Sequence, residues 1–315
     1  MRKRCQNLIA SHGLTMSDEK LTVAVLGPLG TYTHEAAFKE FGHGASYEEQ
    51  NSITDVFDAL SPQIPFGVVP QENSIFGAVI ETYDALREPH RTFIRGEITL
   101  KVEHCLLVRK GVKLGEIKRI MSHEQALGQC RDFIARNLPT AYTVKTPSTA
   151  AAAKALLRSP PDCAAICSTI CATLLEGLEI LLTNIQNEQS NFTRFLVIAH
   201  SQHTSIPSVL RDKFQTKGLI VLSTLNRSSS EMDTSVSLDI MKYLKLLDLF
   251  VTRIDRRPSP SVVPFGSIYF VEVQRCSNRG RHSDEKVLEG WTEDVEDSVS
   301  RVNSSGGKAN VIGIW

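Results

Sequence analysis

Leu21-Thr-Val-Ala-Val-Leu26 decides the fold of this chain, together with the Gly27-Pro-Leu-Gly30 turn and the Thr31-Tyr-Thr-His-Glu-Ala-Ala-Phe38 segment that follow it. The first segment is a continuous apolar run of strand length, which predicts a buried β-strand. The Gly-Pro pair predicts a turn, and Thr31 is of a residue type that caps helix N-termini. The stretch therefore predicts a strand that turns directly into a helix.

The same strand-to-helix unit recurs along the chain, at residues 65–86, 117–137, 142–157 and 163–175. Strands that alternate with helices predict an α/β sheet with covered faces. In such sheets the ligand lies beyond the carboxyl ends of the strands, where helix N-termini attract anions. A single Ser, Thr, Asn or Gly at such a junction is typical of a plain helix cap. Its repetition in every unit favours a cleft for an anionic small molecule.

The composition is that of a globular protein. At 315 residues the chain has the length of about two domains. Basic and acidic residues number 35 each, so no excess of charge suggests a nucleic-acid partner. No apolar run reaches the roughly 20 residues of a membrane span. Seven scattered cysteines fit reduced thiols, and we predict a cytoplasmic protein.

Three cysteines raise the question of a metal. Cys163, Cys167 and Cys171 recur at a spacing of four, which would place them on one face of a helix. Their neighbours are apolar, and no histidine or further cysteine stands nearby to complete a ligand set, so buried small side chains are the better interpretation. The chain also lacks a phosphate-binding glycine fingerprint and an HExxH-like motif. We therefore expect neither metal nor cofactor.

A second pattern begins after residue 217. Its elements are predicted in the order βαββαβ, the ferredoxin-like split motif, with strands at 219–225, 250–254, 267–273 and 308–315 and helices at 235–249 and from a Thr292 cap onward. Residues 276–290 are charged and predict a loop insertion. The predicted domains are therefore a disordered N-terminal extension (1–20), an α/β domain (21–200), a linker (201–217) and a βαββαβ domain (218–315).

A polar stretch from Ile185 to Phe195 precedes the apolar run Leu196–Ala199. It places Arg194 at the mouth of the strand, after the neutral residues Gln186, Asn187, Gln189, Ser190, Asn191 and Thr193. Polar groups at such a place must be hydrogen-bonded, and arginine pairs bidentately with carboxylates. A capped turn and a site for a carboxylate-bearing ligand both explain the pattern, and these residues alone leave the two open.

Five segments along residues 21–199 occur in a specific order: Gly27–Thr33, Gly67–Ser74, Ser122–Cys130, Ser148–Ala150 and Asn191–Phe195. Together they resemble the prephenate dehydratases, which convert prephenate to phenylpyruvate on the way to phenylalanine. The C-terminal unit resembles the ACT domain that binds phenylalanine and inhibits the enzyme in this family. The candidate allosteric residues stand where the family has Glu-Ser-Arg-Pro and are Asp255, Arg256, Arg257 and Pro258.

The resemblance implies a catalytic domain of two α/β lobes around a cleft, similar to type II periplasmic binding proteins, followed by the ACT domain. It also implies that no metal or organic cofactor is needed, and that the chain forms a homodimer or homotetramer. Two departures stand out. Asn187 replaces a frequent aspartate, and Arg227–Ser235 replaces the Gly-Ala-Leu segment at which phenylalanine binds. Inhibition by L-phenylalanine is therefore a hypothesis.

The resemblance also assigns roles to single residues. Thr193 is expected to donate a hydrogen bond or proton to the departing hydroxyl of prephenate. Strand alternation turns Arg194 to the opposite face, so Arg194 either reaches a substrate carboxylate or orders the loop, while Phe195 packs beside the site. Glu72, a candidate acid, and Asn73, a candidate amide contact, are expected at a helix start.

The remaining candidate substrate contacts are Thr31, Ser74, His123, Ser148, Thr149 and Asn191. Gln125 and Gln129 lie one turn apart, and we interpret them as helix-surface polarity. Two alternative functions stay open. One is a dehydratase that prefers arogenate, in which an amino group replaces the keto group. The other is a non-catalytic sensor that couples a binding cleft to an ACT domain.

Overall fold

The structure is a computed structural model that describes residues 20–87, 92–207, 216–223, 240–260, 266–275 and 284–315. The predicted extension before residue 20 lies outside the described residues, as do residues 208–215 of the predicted linker and the segment 224–239, which contains Arg227–Ser235. The side chains of residues 284–289 are likewise outside the description.

The first lobe consists of residues 21–101, to which the chain returns at 192–199. Its elements are β1 (Leu21–Leu26), α1 (Tyr32–Phe41), β2 (Ala45–Gln50), α2 (Ile53–Asp58), β3 (Phe66–Asn73), β4 (Gly77–Ala78), α3 (Ile80–Ala85) and β5 (Phe93–Lys101). The second lobe, residues 105–182, interrupts it and holds β6 (Cys105–Arg109), β7 (Arg119–Ser122), α4 (Glu124–Gln129), α5 (Arg131–Asn137), β8 (Tyr142–Lys145), α6 (Thr149–Leu156), β9 (Cys163–Cys167), α7 (Ile170–Leu174) and β10 (Leu178–Leu182). Strand β11 (Phe192–Ala199) then completes the first lobe.

The C-terminal unit follows with β12 (Lys217–Ser223), α8 (Ile240–Leu247), β13 (Phe250–Pro258), β14 (Ser267–Gln274), α9 (Asp284–Ser304) and β15 (Lys308–Ile314). Its strands lie in the order β13-β14-β12-β15, which is the order of a ferredoxin-like βαββαβ sheet. The predicted split motif is therefore present. Its assignment as an ACT domain stays a prediction.

Two sheets organise the described chain. The second lobe has a five-stranded sheet in the order β10-β6-β9-β7-β8. The first lobe and the C-terminal unit share one sheet, β13-β14-β12-β15-β5-β11-β3-β1-β2, with β4 beside β3. Strand β11 runs antiparallel between β3 and β5, so it is the central strand that carries the end of the polar stretch. The two-lobed α/β architecture predicted from the sequence is confirmed.

The C-terminal unit also shares a hydrophobic core with the first lobe. Tyr83 of α3 makes an edge-on contact with Phe270 of β14, with ring centroids 5.2 Å apart, and both side chains are fully buried. Trp315 and Ile312 from the chain end pack into the same cluster. Burial of this apolar surface joins the two units into one folded body.

Several predicted elements differ from the structure. Glu72 and Asn73 end strand β3 rather than begin a helix, because Asn73 continues the pairing with β11 opposite Thr193. The helix predicted over 124–137 breaks at Cys130, whose backbone leaves the helical conformation. Cys163 and Cys167 lie on a strand, so the spacing of four did not reflect a helix face.

The last helix begins earlier than predicted. Residue Thr292 lies inside α9 instead of capping it, and residues 284–290 of the predicted loop insertion belong to the helix. The reason is the apolar face, which starts at the buried Trp291 and continues through Val295 and Val302 at helical spacing.

Gly313 marks the junction between β15 and β5. A Cβ atom at this position would lie 2.4 Å from Cβ of Ile94 and 3.0 Å from its carbonyl oxygen. Gly313→Ala is therefore expected to force the two strands apart and to reduce the free energy of unfolding by about 1–3 kcal/mol. Chemical denaturation measures the loss. The control is Gly44→Ala, where no atom lies within 4 Å of the added Cβ; equal stability of the two variants would contradict the expectation.

Candidate active site

A cavity of about 420 Å³ lies between the two lobes. Two crossing segments, residues 102–104 and 183–191, connect the lobes. The first lobe contributes Thr31, Tyr32, Asn73, Phe76, Thr193 and Phe195, the second lobe contributes His123, Gln125, Gln129, Ser148 and Thr149, and the crossing segments contribute Val102, His104 and Asn191, among others. Both lobes and both crossing segments therefore meet in one cleft. Of the candidate catalytic and substrate-contact residues, the structure brings eight to this cavity: Thr31, Asn73, His123, Ser148, Thr149, Asn191, Thr193 and Phe195.

Thr193 and Asn73 are paired across strands β11 and β3, and their side chains are hydrogen-bonded. The Asn73 amide nitrogen donates to Oγ1 of Thr193 at 2.9 Å and to Oδ1 of Asn191 at 2.7 Å. The same nitrogen also lies 3.1 Å from the Phe192 carbonyl oxygen, and the contacts to Asn191 and Thr193 are the two shorter of the three that its two hydrogens serve. The Thr193 oxygen thus accepts a hydrogen bond from within the protein, which leaves the hydroxyl hydrogen for a group in the cleft.

The oxygen of the Asn73 side-chain amide fixes the turn that follows the strand. It accepts hydrogen bonds from the backbone N–H groups of Ile75 and Phe76, at 3.0 and 3.2 Å. Asn73 therefore holds Thr193, Asn191 and the 74–76 turn together. Its geometry supports a positioning role for the hydroxyl of Thr193.

Two helices begin at the cleft from opposite lobes. Thr31 caps α1, with its oxygen accepting from the backbone of His34 and its hydroxyl donating to the Leu26 carbonyl at 2.8 Å. Ser148 caps α6 and accepts from the backbone of Ala151 at 3.0 Å. The capping roles predicted from their residue types are therefore confirmed. Because helix N-termini carry a partial positive charge, the cleft is suited to a ligand with negative charge at both ends.

Three cleft residues that were not among the predicted substrate contacts are hydrogen-bonded in a row. The Tyr32 hydroxyl lies 2.6 Å from Nδ1 of His104, and Nε2 of His104 lies 2.5 Å from Oε1 of Gln129. The interpretation of Gln129 as surface polarity is wrong, since its helix α4 turns it into the cleft. Tyr32 and Gln129 lie within the recognised segments, whereas no pattern pointed to His104.

Ser74, Glu72 and Arg194 are not brought to the cleft. Ser74 instead joins the turn to the polar stretch, accepting from the Phe192 N–H at 2.9 Å and donating to the Ser190 carbonyl at 3.1 Å. Glu72 and Arg194 are the strand neighbours of Asn73 and Thr193, so strand alternation turns both to the opposite face of the sheet. There Nε of Arg194 pairs with Oε1 of Glu72 at 2.6 Å.

This opposite face carries an ion-pair cluster that we call the Arg194 network. Arg194 also pairs with Glu272 of the C-terminal unit at 3.0 Å and with Glu97 at 3.5 Å. The second carboxylate oxygen of Glu72 pairs with Arg253, and Lys217 lies 2.8 Å from Glu97. The network therefore joins the strands of Thr193 and Asn73 to the C-terminal unit. The expected use of Glu72 as an acid and Arg194 as a carboxylate contact has no support in this placement.

The candidate allosteric residues lie at the same junction. Arg257 donates both Nε and Nη2 to the carboxylate of Asp84, each at 2.8 Å, which ties β13 to the end of helix α3. The Pro258 carbonyl accepts from Arg87 at 3.0 Å. Asp255 accepts from Arg253, and Arg256 donates to Ser267 at 2.8 Å. Arg257 and Pro258 therefore connect the C-terminal unit to the first lobe, whereas these contacts of Asp255 and Arg256 lie within the unit.

A comparison with protein families finds a match over the residues that form the motif segments and the cleft. A family model described as prephenate dehydratase matches residues 23–203, which is more than half of the chain. The chain belongs to the prephenate dehydratase family. The matched residues contain both lobes, the whole cleft and strand β11, so membership covers every residue of the candidate site.

Curated relatives agree with the assignment. The chain is 35% identical over 268 residues to a bifunctional chorismate mutase/prephenate dehydratase of Stutzerimonas stutzeri, covering 85% of this chain and 67% of that protein. The chain thus spans about two thirds of the length of such relatives.

Two solved structures show the same fold. A prephenate dehydratase from Arthrobacter aurescens in complex with L-phenylalanine superposes with a TM-score of 0.72 at 24% identity, over 93% of this chain and 89% of that one. A protein described as a novel type of quorum quenching acylase, GqqA, reaches 0.70 at 21% identity, over 93% and 97%. Because proteins with different described activities share the fold, the function must be argued from the site.

Among the residues that the structure describes, no helix combines the length and the apolar character needed to cross a membrane. Within the same residues, no group of three or more His, Cys, Asp or Glu side chains is arranged to hold a metal ion.

Proposed function

We propose that this chain is a prephenate dehydratase, a carbon–oxygen lyase that converts prephenate to phenylpyruvate, carbon dioxide and water. One observation carries the proposal. The Thr193 oxygen accepts a hydrogen bond from Asn73, so its hydroxyl hydrogen is left to donate into a cleft that two helix N-termini flank. This arrangement suits a dianionic substrate that must lose a hydroxyl group.

The reaction breaks two bonds of the substrate ring. The bond to the ring carboxylate breaks with loss of CO2, its electron pair enters the ring, and the C–O bond opposite breaks with departure of hydroxide, which takes up one proton from solvent to become water. Hydroxide is a poor leaving group, and a hydrogen-bond donor at its oxygen lowers the barrier. A threonine hydroxyl is a weak acid, so the contribution of Thr193 depends on its fixed position and on stabilisation of the developing negative charge.

Binding of the two carboxylates follows from the same cleft. The N-termini of α1 and α6, capped by Thr31 and Ser148, come from opposite lobes and provide positive ends without fixed cations. A strong cation beside the ring carboxylate would stabilise the group that has to leave as CO2. The apolar side chains of Phe195 and Val102 provide a surface for the ring.

The proposal is tested by following phenylpyruvate absorbance when purified protein is mixed with prephenate or with arogenate at neutral pH. Turnover of prephenate well above an enzyme-free blank is expected. A higher kcat/KM with arogenate would make the chain an arogenate dehydratase, and no turnover of either substrate would favour the non-catalytic sensor.

Asn73→Asp tests the positioning of the hydroxyl. The introduced carboxylate keeps the shape and still accepts from the 74–76 turn, but it cannot donate, and it takes up the Thr193 hydroxyl hydrogen instead of leaving it for substrate. We expect kcat to fall by about 10²-fold, as for removal of one donor from a preorganised site, with only a small change in KM. Steady-state kinetics with prephenate measure this, beside the exposed control Asn137→Asp. An unchanged kcat would contradict the assigned hydrogen-bond direction.

The C-terminal βαββαβ unit is proposed to be an ACT domain that binds L-phenylalanine and inhibits the enzyme in a homodimer or homotetramer. In support, the unit joins the strands of Thr193 and Asn73 through the Arg194 network. Isothermal titration with L-phenylalanine is expected to show binding, and sedimentation is expected to show an oligomer. Absence of heat at millimolar L-phenylalanine would contradict the regulatory proposal. A cytoplasmic location is proposed, in keeping with the buried free cysteines.

A further inference from the structure

The hydrogen-bonded side chains of Tyr32, His104 and Gln129 connect three parts of the molecule at the cleft. Tyr32 lies on α1 of the first lobe, Gln129 ends α4 of the second lobe, and His104 lies on the segment by which the chain crosses between them. All three residues line the cavity. His104 is only 2% exposed, and its ring stands edge-on to Tyr32 with centroids 5.6 Å apart.

The backbone holds His104 in this place from both sides. Its N–H donates to Oε1 of the buried Gln186 at 2.9 Å, and its carbonyl accepts from Ile185 at 3.1 Å. Both partners belong to the polar stretch on the second crossing segment. The backbone of His104 is therefore held by the second segment that connects the lobes.

The direction of each hydrogen bond follows from the chemistry of the partners. The side-chain oxygen of Gln129 only accepts, so Nε2 of His104 carries the hydrogen. Burial lowers the pKa of His104, against the opposing effect of the hydrogen bond to Gln129, so the ring is neutral and Nδ1 accepts. Burial also raises the pKa of Tyr32, which keeps its hydroxyl hydrogen. Nδ1 of His104 at 2.6 Å is a much closer acceptor for that hydrogen than the Glu103 carbonyl at 3.3 Å.

We propose that His104 is a positioning residue for the reaction, which sets the hydrogen-bonding direction of Gln129 on one side and Tyr32 on the other. With its oxygen held by His104, Gln129 has both amide hydrogens left to donate to a substrate oxygen. With its hydrogen given to His104, Tyr32 presents its oxygen as an acceptor. The identity of that substrate rests on the proposed function, whereas the arrangement of the three side chains does not.

Two variants test the hydrogen bond of His104 to Tyr32 and its hydrogen bond to Gln129 separately. In His104→Asn the side-chain amide occupies the place of Nδ1, so it keeps a partner for Tyr32 and no longer reaches Gln129. In His104→Gln the amide nitrogen occupies the place of Nε2, so it keeps a donor for Gln129. His104→Asn is expected to weaken binding of prephenate and phenylpyruvate by about tenfold, the effect of one lost hydrogen bond, and His104→Gln is expected to restore most of that loss.

A double-mutant cycle with Gln129→Met decides whether His104 acts through Gln129. Because Gln129→Met already removes the positioned amide, His104→Asn should cause little further change in that background. The two substitutions would act independently if the double variant changed KM, and the dissociation constant of phenylpyruvate measured by titration calorimetry, by the product of the two single effects. That result would overturn the proposal. His203→Asn on the exposed surface is the control and should leave both constants unchanged.

Turnover of prephenate tests the proposed function, and binding of phenylpyruvate tests the role of His104. Failure of wild type to convert prephenate would remove the proposed function, while calorimetry with phenylpyruvate would still decide the cycle. If wild type converts prephenate but binds no phenylpyruvate, the proposed function stands and KM alone decides the cycle. If the histidine variants do not fold, nitrogen-15 spectra of the wild-type imidazoles give the answer. A His104 ring with the hydrogen on Nε2 is expected, and a ring protonated at Nδ1 would overturn the proposal.

Discussion

Thr193→Val is expected to lower kcat for prephenate by about 10²–10⁴-fold, the range observed when a general acid or a positioned donor is removed. Valine keeps the volume and the strand preference of threonine and removes only the hydroxyl group. Since that group acts on the departing oxygen, the loss should fall on kcat, and KM should change little. Steady-state kinetics at neutral pH with a thermal unfolding check measure the effect.

Two companion variants make this result interpretable. Thr193→Ser retains the hydroxyl and should keep kcat within about tenfold of wild type, because it loses one methyl group and some rigidity. Thr143→Val makes the same chemical change at an exposed position on strand β8 and should have no effect. If Thr193→Val retained wild-type kcat, Thr193 would have no part in the chemical step.

Glu272→Gln is expected to reduce the free energy of unfolding by about 3 kcal/mol, as when one partner of a buried ion pair is removed. The Glu272 side chain is 3% exposed and faces Arg194 at 3.0 Å and Lys217 at 4.0 Å. Glutamine fills the same space, but it removes the most buried of the anions that pair with these two cations and leaves them Glu97 and, for Arg194, Glu72. Urea unfolding compared with wild type measures the loss, and Glu296→Gln on the exposed face of α9 is the control.

The same substitution should change the dependence of stability on pH. Burial alone would raise the pKa of Glu272, but the charge and hydrogen bonds of Arg194, together with Lys217 and Thr252, outweigh it and lower the pKa. The contribution of Glu272 is therefore fully present above the unfolded pKa of about 4.3 and is lost as pH falls through the folded value. The stability difference between wild type and Glu272→Gln should shrink below that pH. A difference that stays constant with pH would contradict this account.

Local pattern was sufficient to predict the architecture. The apolar strand Leu21–Leu26 with its capped helix, and the βαββαβ order after residue 217, depend on periodicity and turn residues that neighbouring positions determine. Strand alternation also predicted that Thr193 and Arg194 face opposite ways, and the structure shows Thr193 at the cleft and Arg194 at the C-terminal unit. Such features need no knowledge of distant contacts.

Partners far apart in sequence were not predictable in this way. His104 acquires its place only when α1 and α4 meet it across the cleft, and Glu272 meets Arg194 only after the C-terminal unit packs on the first lobe. The same limit explains Glu72, which resembles a helix-start acid until the pairing of β3 with β11 continues past it. Pairing between distant strands decides these positions, and a single sequence does not reveal that pairing.

The most direct test of the central claim is the yield of phenylpyruvate and CO2 from prephenate, catalysed by the purified chain at neutral pH beside its Thr193→Val variant. The account expects both products in equal amounts from wild type, and a rate in the folded variant lower by at least about 10²-fold. A wild-type rate no higher than that of the variant would contradict the assignment of this cleft as a prephenate dehydratase site.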